Sequence, residues 1–171
     1  FRLGASAGAW AALGGITATG IGAVMPAYRV LRRFDPDRLF PHRLTNLLWG
    51  GLLLGLPPWW SVRVRGLANL PTDGPFLLCA NHQSFVDVLA LHALRVDFKW
   101  VLDGRFERIP GFGAWIRSSG YVAVDPTDPV SGRRMLDLVG AWLDRGVPVA
   151  LFPEGTRSED GVVAPFKRGP F

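Results

Sequence analysis

The chain has 171 residues, 49% of them hydrophobic, and a formal net charge of +5. That length fits one domain, or one domain plus an appendage, and that hydrophobic content excludes a disordered chain. A single cysteine excludes a disulfide framework and any cysteine-based zinc site, and histidines only at 42, 82 and 92 leave little for a histidine-rich metal centre.

The charge is unevenly spread. Residues 1–65 hold eight Arg and two Asp, whereas residues 66–171 hold eleven basic and twelve acidic residues. The basic excess therefore coincides with the long apolar runs, a pairing that points to a membrane surface and away from nucleic acid. Leu3 to Tyr28 is 26 residues without a charge, flanked by Arg2 and by Arg29, Arg32 and Arg33. A helix of about 20 residues already crosses the hydrocarbon core. The run is rich in Gly and Ala and contains Pro26, so a cleaved signal and an interfacial or packed helix stand beside a membrane helix as readings. A second uncharged run, Leu44 to Val62, meets Pro57-Pro58 after about 13 residues, too few to span, and reads as a half-inserted or re-entrant helix. Trp49, Trp59 and Trp60 read as interfacial anchors. Between the runs, Arg29, Arg32, Arg33, Arg38 and Arg43 form a basic link that the positive-inside rule puts on the cytoplasmic side.

From Ser61 the texture changes. Val62-Arg63-Val64-Arg65 alternates like a strand, and Pro71 to Gly74 is a turn. Phe76–Ala80 reads as a buried strand, Val86–Leu94 as a helix, Phe98–Leu102 as a strand, Gly111–Ser118 as a short helix and Tyr121–Val124 as a strand. Asp128 and Pro129 suit the N-cap and first position of a helix that runs to Gly146. Val147–Phe152 is a further buried strand. Strands alternating with helices predict an α/β fold, a mixed sheet flanked by helices. The expected division is a membrane-associating helical segment over 1–60 and an α/β domain over 61–171. The chain has no initiator Met and stops at Lys167-Arg168-Gly169-Pro170-Phe171, so it reads as a fragment truncated at its C-terminus.

Two segments following buried strands carry the candidate chemistry, because sites form at the carboxyl ends of strands in open α/β sheets. In Asn81-His82-Gln83-Ser84-Phe85-Val86-Asp87, a carboxylate five residues after a histidine can fix the imidazole tautomer and stabilise the imidazolium. The alternative is that Asp87 caps the helix and His82 is a loop residue. In Phe152-Pro153-Glu154-Gly155-Thr156-Arg157-Ser158, Gly155 lets a ligand approach the backbone, and Thr156 and Arg157 can hold phosphate oxygens. The alternative is a solvated turn with a Glu154–Arg157 pair. Lys99, Arg105 and Lys167 are scattered cations that either complete a phosphate site or are ordinary surface charges. The Gly4-Ala5-Ser6-Ala7-Gly8 match to a nucleophile elbow lacks its strand–turn–helix context. Cys79 reads as an inert core thiol and His92 as a packed or surface histidine.

The two segments together, NHQSFVD and FPEGTRS about 70 residues apart, resemble the glycerolipid acyltransferase family, with the 1-acyl-glycerol-3-phosphate acyltransferases the best match. The resemblance runs from Ser61 to Phe171 and includes Lys99, Phe106, Pro110, Gly111, Gly113 and Gly120. It implies that His82 and Asp87 are the catalytic pair, and that Glu154, Gly155, Thr156 and Arg157, with Lys99, bind the acceptor's phosphate. It implies acyl transfer from acyl-CoA or an acyl-carrier protein to the free hydroxyl of a lysophospholipid, giving phosphatidic acid. No metal or resident cofactor is expected; membrane lipids are the other expected partners. Two departures stand out. Pro126 occupies a position where the family often has Arg, and the family's fourth, apolar Val-Pro block would follow Gly169. The missing Arg keeps open the same chemistry on glycerol-3-phosphate or another lysolipid; a non-catalytic lipid-binding protein is the other alternative, against which the intact His82, Asp87, Glu154 and Arg157 argue.

Overall fold

A computed structural model of the chain describes residues 2–54 and 61–167. The first element is the long helix α1, Arg2–Leu31, with Pro26 inside its last turns. A 3₁₀ turn at Arg32–Phe34 leads to α2, Leu39–Thr45, which continues without a break into a π-helical segment, Asn46–Leu53. The remaining elements alternate: β1 Leu77–Cys79, α3 Phe85–His92, β2 Lys99–Asp103, α4 Phe112–Ser119, β3 Val122–Val124, α5 Pro129–Asp144 and β4 Val149–Leu151. The α/β layering expected from the sequence is present. The strands form one sheet in the order β1-β4-β2-β3. All three pairings are parallel, so the mixed sheet expected has no antiparallel pair among the described residues. Parallel neighbours need crossovers, and α3, α4 and α5 supply them.

Each face of the sheet has its own apolar layer. Phe98, Trp100, Ala150, Leu78 and Phe152 pack with Val88 and Leu91 of α3 on one face. Val122, Val149, Leu77 and Val101 pack with Val139 and Trp142 of α5 on the other. Local chemistry sets the element ends. The Asp128 carboxylate accepts from the Val130 and Ser131 amides ahead of Pro129, as its N-cap position predicts. Gly120 closes α4 at φ +66°, and a Cβ there would lie 2.7 Å from the Trp142 ring, so both backbone and packing select glycine.

The N-terminal segment lies against this α/β part. Leu13, Ile16, Ile21, Met25 and Tyr28 of α1 recur at helical spacing along its packed side. The π-helical segment fills the space between α1 and α3. Trp49 is buried there, its indole N–H donating to Thr17 at 2.9 Å, so it is a core residue and not the interfacial anchor expected. Asn46, Leu53 and Leu54 are buried with it, so one side of residues 44–54 of the second apolar run is packed against the protein, whereas Leu47 and Leu52 are exposed on the other. Pro57, Pro58, Trp59 and Trp60 lie outside the described residues. The strand expected at Val62–Arg65 is exposed chain without a ladder partner among the described residues. Alternation alone had suggested it, but both valines are exposed. Cys79 is only partly buried, and that burial still raises its thiol.

Two buried histidines join the layers. His92 Nε2 accepts from the Trp100 indole at 3.0 Å, so its Nδ1 donates to Asn46 Oδ1 at 2.6 Å. His42 Nε2 donates to the Val96 carbonyl at 2.9 Å, and Nδ1 accepts from Tyr121 at 2.9 Å. Both rings are therefore neutral, and burial pushes His42 down to about 4. The unfolded chain takes up this proton near pH 6.5 and the folded one only near 4, so acid favours unfolding across that window. A loss of about 3 kcal/mol between pH 6.5 and 4 is expected from His42. Urea midpoints measured against pH check this: a His42→Gln variant, weaker throughout, loses that part of the slope.

Candidate active site

Parallel β1 and β4 are neighbours in register, Cys79 opposite Leu151. The segments that leave their carboxyl ends are therefore adjacent, although 72 residues separate His82 from Glu154. Three hydrogen bonds beyond the strands fasten one segment to the other. The His82 amide donates to Glu154 Oε1 at 2.6 Å, and the Ser158 amide donates to the His82 carbonyl at 2.8 Å. The Gln83 side chain donates to the Gly161 carbonyl at 3.0 Å. Glu154 Oε2 accepts from the Ala164 amide at 2.8 Å, closing the loop behind the site.

The His82 ring is held from two directions. It stacks on Phe152 at 3.8 Å between centroids, and Nδ1 lies 3.0 Å from Asp87 Oδ2. That carboxylate oxygen also accepts from the Gln83 and Ser84 amides, each at 2.7 Å. Ser84 in turn caps α3 through its Oγ, which accepts from the Val86 amide. Asp87 thus does both jobs the sequence left as alternatives: it caps α3 and orients His82. Burial raises the Asp87 carboxyl, but the Ser84 and Gln83 amides and the His82 ring outweigh it and hold the group below the usual carboxylate range. An ionised Asp87 keeps the proton on Nδ1, leaving the Nε2 lone pair as a base. No buried side-chain nitrogen or oxygen among the described residues lacks a partner, so this unpaired Nε2 is reachable from outside.

His82 opens on a cavity of about 800 Å³ along the carboxyl edge of the sheet. Trp10 of α1, Trp49, Phe85, Phe112 and Trp115 give it an apolar wall, and Gly155, Thr156 and Arg157 line its polar side. A base beside a cation-bearing turn, at the end of an apolar chamber, suits a substrate with an anionic head and a hydrocarbon tail.

Of the residues singled out in the sequence, His82, Asp87, Gly155, Thr156 and Arg157 come together here. Glu154 adjoins them with a different task. It is buried, with both carboxylate oxygens occupied by backbone amides, so it positions His82 and does not face a ligand as expected. Lys99 stands on the opposite sheet face. It is fully buried, donating to the Arg38 carbonyl at 2.8 Å and the Ser119 carbonyl at 2.7 Å, with the Trp142 ring 4.7 Å from Nζ. Burial lowers its amine to about 7. The reason is strand alternation: Trp100 and Leu102 point to the His82 face, and Lys99 and Val101 to the other. Lys99 therefore pins α4 and the α2 start in place, where a phosphate clamp was expected. Arg105 lines the cavity with its guanidinium bound to Asp103 at 2.7 Å. The apolar contribution of Trp10 and Trp49 was missed in the sequence: Trp49 read as an anchor, and nothing local to Trp10 marks the cavity it lines.

The family model described as Acyltransferase matches residues 61–171. The chain is 36% identical over 139 residues to a chloroplastic 1-acyl-sn-glycerol-3-phosphate acyltransferase of Arabidopsis thaliana, covering 81% of this chain and 38% of that protein. It is 32% identical over 111 residues to a 1-acyl-sn-glycerol-3-phosphate acyltransferase of Helicobacter pylori, covering 64% of this chain and 46% of the relative. The chain thus spans about two fifths of the length of the curated relatives it matches. A crystal structure of the 1-acyl-sn-glycerophosphate acyltransferase of Thermotoga maritima shares its fold, with a TM-score of 0.58 at 24% identity over 89% of this chain and 65% of the other.

Two substitutions separate the positioning carboxylate from the buried amine. Glu154→Ala leaves the His82 and Ala164 amides without their acceptor and is expected to lose about 1–3 kcal/mol of stability together with turnover. Lys99→Ala, which unpairs two carbonyls, loses about as much stability yet leaves the Michaelis constant for acceptor unchanged. Thermal melts paired with steady-state kinetics distinguish the two.

Proposed function

The chain belongs to the acyltransferase family, and from that premise we propose that it moves a fatty acyl group from a thioester to the free hydroxyl of 1-acyl-glycerol-3-phosphate, giving phosphatidic acid. The observation that carries this reading is the His82–Asp87 pair, with Nδ1 tied to the carboxylate and Nε2 open to a cavity that Gly155, Thr156 and Arg157 also line. His82 Nε2 takes the proton of the acceptor hydroxyl as its oxygen attacks the thioester carbonyl carbon. The tetrahedral intermediate collapses with loss of the thiolate, which takes the proton back from the imidazolium. Asp87, ionised throughout, offsets the charge that His82 gains. The attacking oxygen belongs to the substrate, so no enzyme nucleophile or metal is used, and the thioester, acyl-CoA or acyl-carrier protein, is a co-substrate. Arg157 forms a fork suited to phosphate oxygens.

The membrane is the source of the acceptor in this reading. One helix among the described residues is long and apolar enough to cross a bilayer. The packed stripe of α1 is turned to the protein, and Val30 and Leu31 are exposed at its end beside Arg29, Arg32 and Arg33. That outward apolar side with adjacent basic charge supports association with an anionic membrane surface, on the cytoplasmic face by the positive-inside rule. A second acceptor class is kept by Pro126, which lines the cavity where a cation of the resembling family often stands.

Full-length protein in membranes, given lysophosphatidate and labelled acyl-CoA, is expected to form phosphatidate. His82→Ala and Asp87→Asn are each expected to lower turnover by about 10²–10⁴-fold. Retained activity in His82→Ala overturns the mechanism. Wild type inert towards CoA thioesters but active with acyl-carrier protein assigns the donor.

A further inference from the structure

Three cations line the cavity, and they are not equivalent. Arg105 is paired with Asp103, whereas Arg157 and Lys167 form no ion pair among the described residues. The carboxylates of the same cavity are also engaged: Asp103 with Arg105, Asp125 with Thr127, and Asp128 with the first turn of α5. They leave the charge of Arg157 and Lys167 uncompensated at the β4 end of the cavity.

Lys167 reaches that end through a defined path. Its amide donates to the Pro153 carbonyl at 2.9 Å, which lays the chain back across the turn after β4. Its side chain then crosses Gly155. Gly155 has φ +74°, and a Cβ built on it would lie 2.6 Å from Lys167 Nζ and 3.0 Å from Cε. The missing side chain of Gly155 is thus the space that the lysine occupies, and the ammonium lies over it in the cavity that Thr156 and Arg157 also line. A phosphomonoester near neutral pH carries close to two negative charges, its second ionisation lying near pH 6. One guanidinium matches one of them.

We propose that Lys167 is the second cation of the acceptor site and the residue that distinguishes a dianionic phosphomonoester headgroup from a monoanionic phosphodiester. The inference rests on the reading of the site as one for a phosphate-bearing lysolipid, and it adds the residue that sets which phosphate. Arg157 supplies the bidentate fork common to both headgroups, and Lys167 supplies a point charge that only the second negative charge uses.

The test compares wild type, Lys167→Met and Lys167→Arg, as full-length protein in mixed micelles. The readout is the ratio of kcat/KM for lysophosphatidate to that for lysophosphatidylglycerol, a phosphodiester. Lys167→Met is expected to lower the ratio about tenfold, through KM for the monoester, and Lys167→Arg to restore most of it. A merely structural lysine lowers both substrates alike and leaves the ratio unchanged, which overturns the proposal. Titration with glycerol 3-phosphate, followed by chemical shift changes, runs in parallel and does not depend on turnover. If wild type binds it and Lys167→Met binds about tenfold more weakly, the clamp stands even where no acyl transfer occurs and the acyltransferase reading alone fails. Equal binding by both proteins overturns the clamp.

Discussion

The Glu154 carboxylate joins the His82 amide to the Ala164 amide from a buried position, and the geometry of the site follows from that bridge. A buried carboxylate is costly unless its oxygens are matched, and here each oxygen receives one backbone N–H. The bridge fixes the main chain at His82. The ring is then fixed separately, by Asp87 at one nitrogen and by Phe152 beneath its plane. Backbone and side chain are thus held by different elements: the turn after β4, the cap of α3, and the last residue flanking β4. Such redundancy suits a base that must keep its place while its charge changes. It depends on β1 and β4 being parallel neighbours, since only that pairing puts both loops on the same sheet edge.

Much of this was legible in the sequence, for identifiable reasons. The cap at Asp128, the glycine stop at Gly120 and the short apolar runs at Leu77–Cys79 and Val149–Leu151 are local signals, and each marks an element that exists. The pair His82 and Asp87 was visible because five residues around a helix start are a local distance. What the residues alone could not reveal is orientation across the sheet. Lys99 and Val101 share a face opposite Trp100, and a reading by composition cannot tell which face holds the site. Glu154 was similarly recognisable as belonging to the site, yet its bonds run to amides of His82 and Ala164, partners that side-chain chemistry does not name. Trp49 failed as an anchor because burial beneath α1 is a tertiary fact. The α2-to-π continuation belongs to the same class: Gly50 lies so close to the end of α3 that a Cβ would be 2.6 Å from the His92 carbonyl oxygen.

The apolar wall and the α/β scaffold are coupled through that contact. His92 ends the helix that Ser84 and Asp87 begin, and its ring joins Asn46 of the π-helical segment to Trp100 of β2. Trp49 packs against both His92 and Phe85, and Phe85 meets Trp10 at 5.5 Å. Helix α3 is therefore held at both ends: polar contacts at its start orient the base, and a neutral imidazole network at its end ties it to the N-terminal helices. The apolar wall of the cavity and the His82–Asp87 pair thus share one helix.

On the proposed function, charge along the cavity gives the acceptor a direction. The β2 and β3 end carries carboxylates already matched by Arg105, Thr127 and the α5 amides, and the β4 end carries cations without acidic partners among the described residues. His82 stands beyond β1, next to β4 in the sheet order. On that reading, a phosphate drawn to the turn after β4 sits beside the His82 loop, and the tail is turned to the tryptophans. The opposite orientation would put a phosphate against satisfied carboxylates and an alkyl chain over exposed cations, both unfavourable. Orientation in this site is therefore a consequence of where the unpaired charges lie, with the sheet order deciding that they lie beside the base.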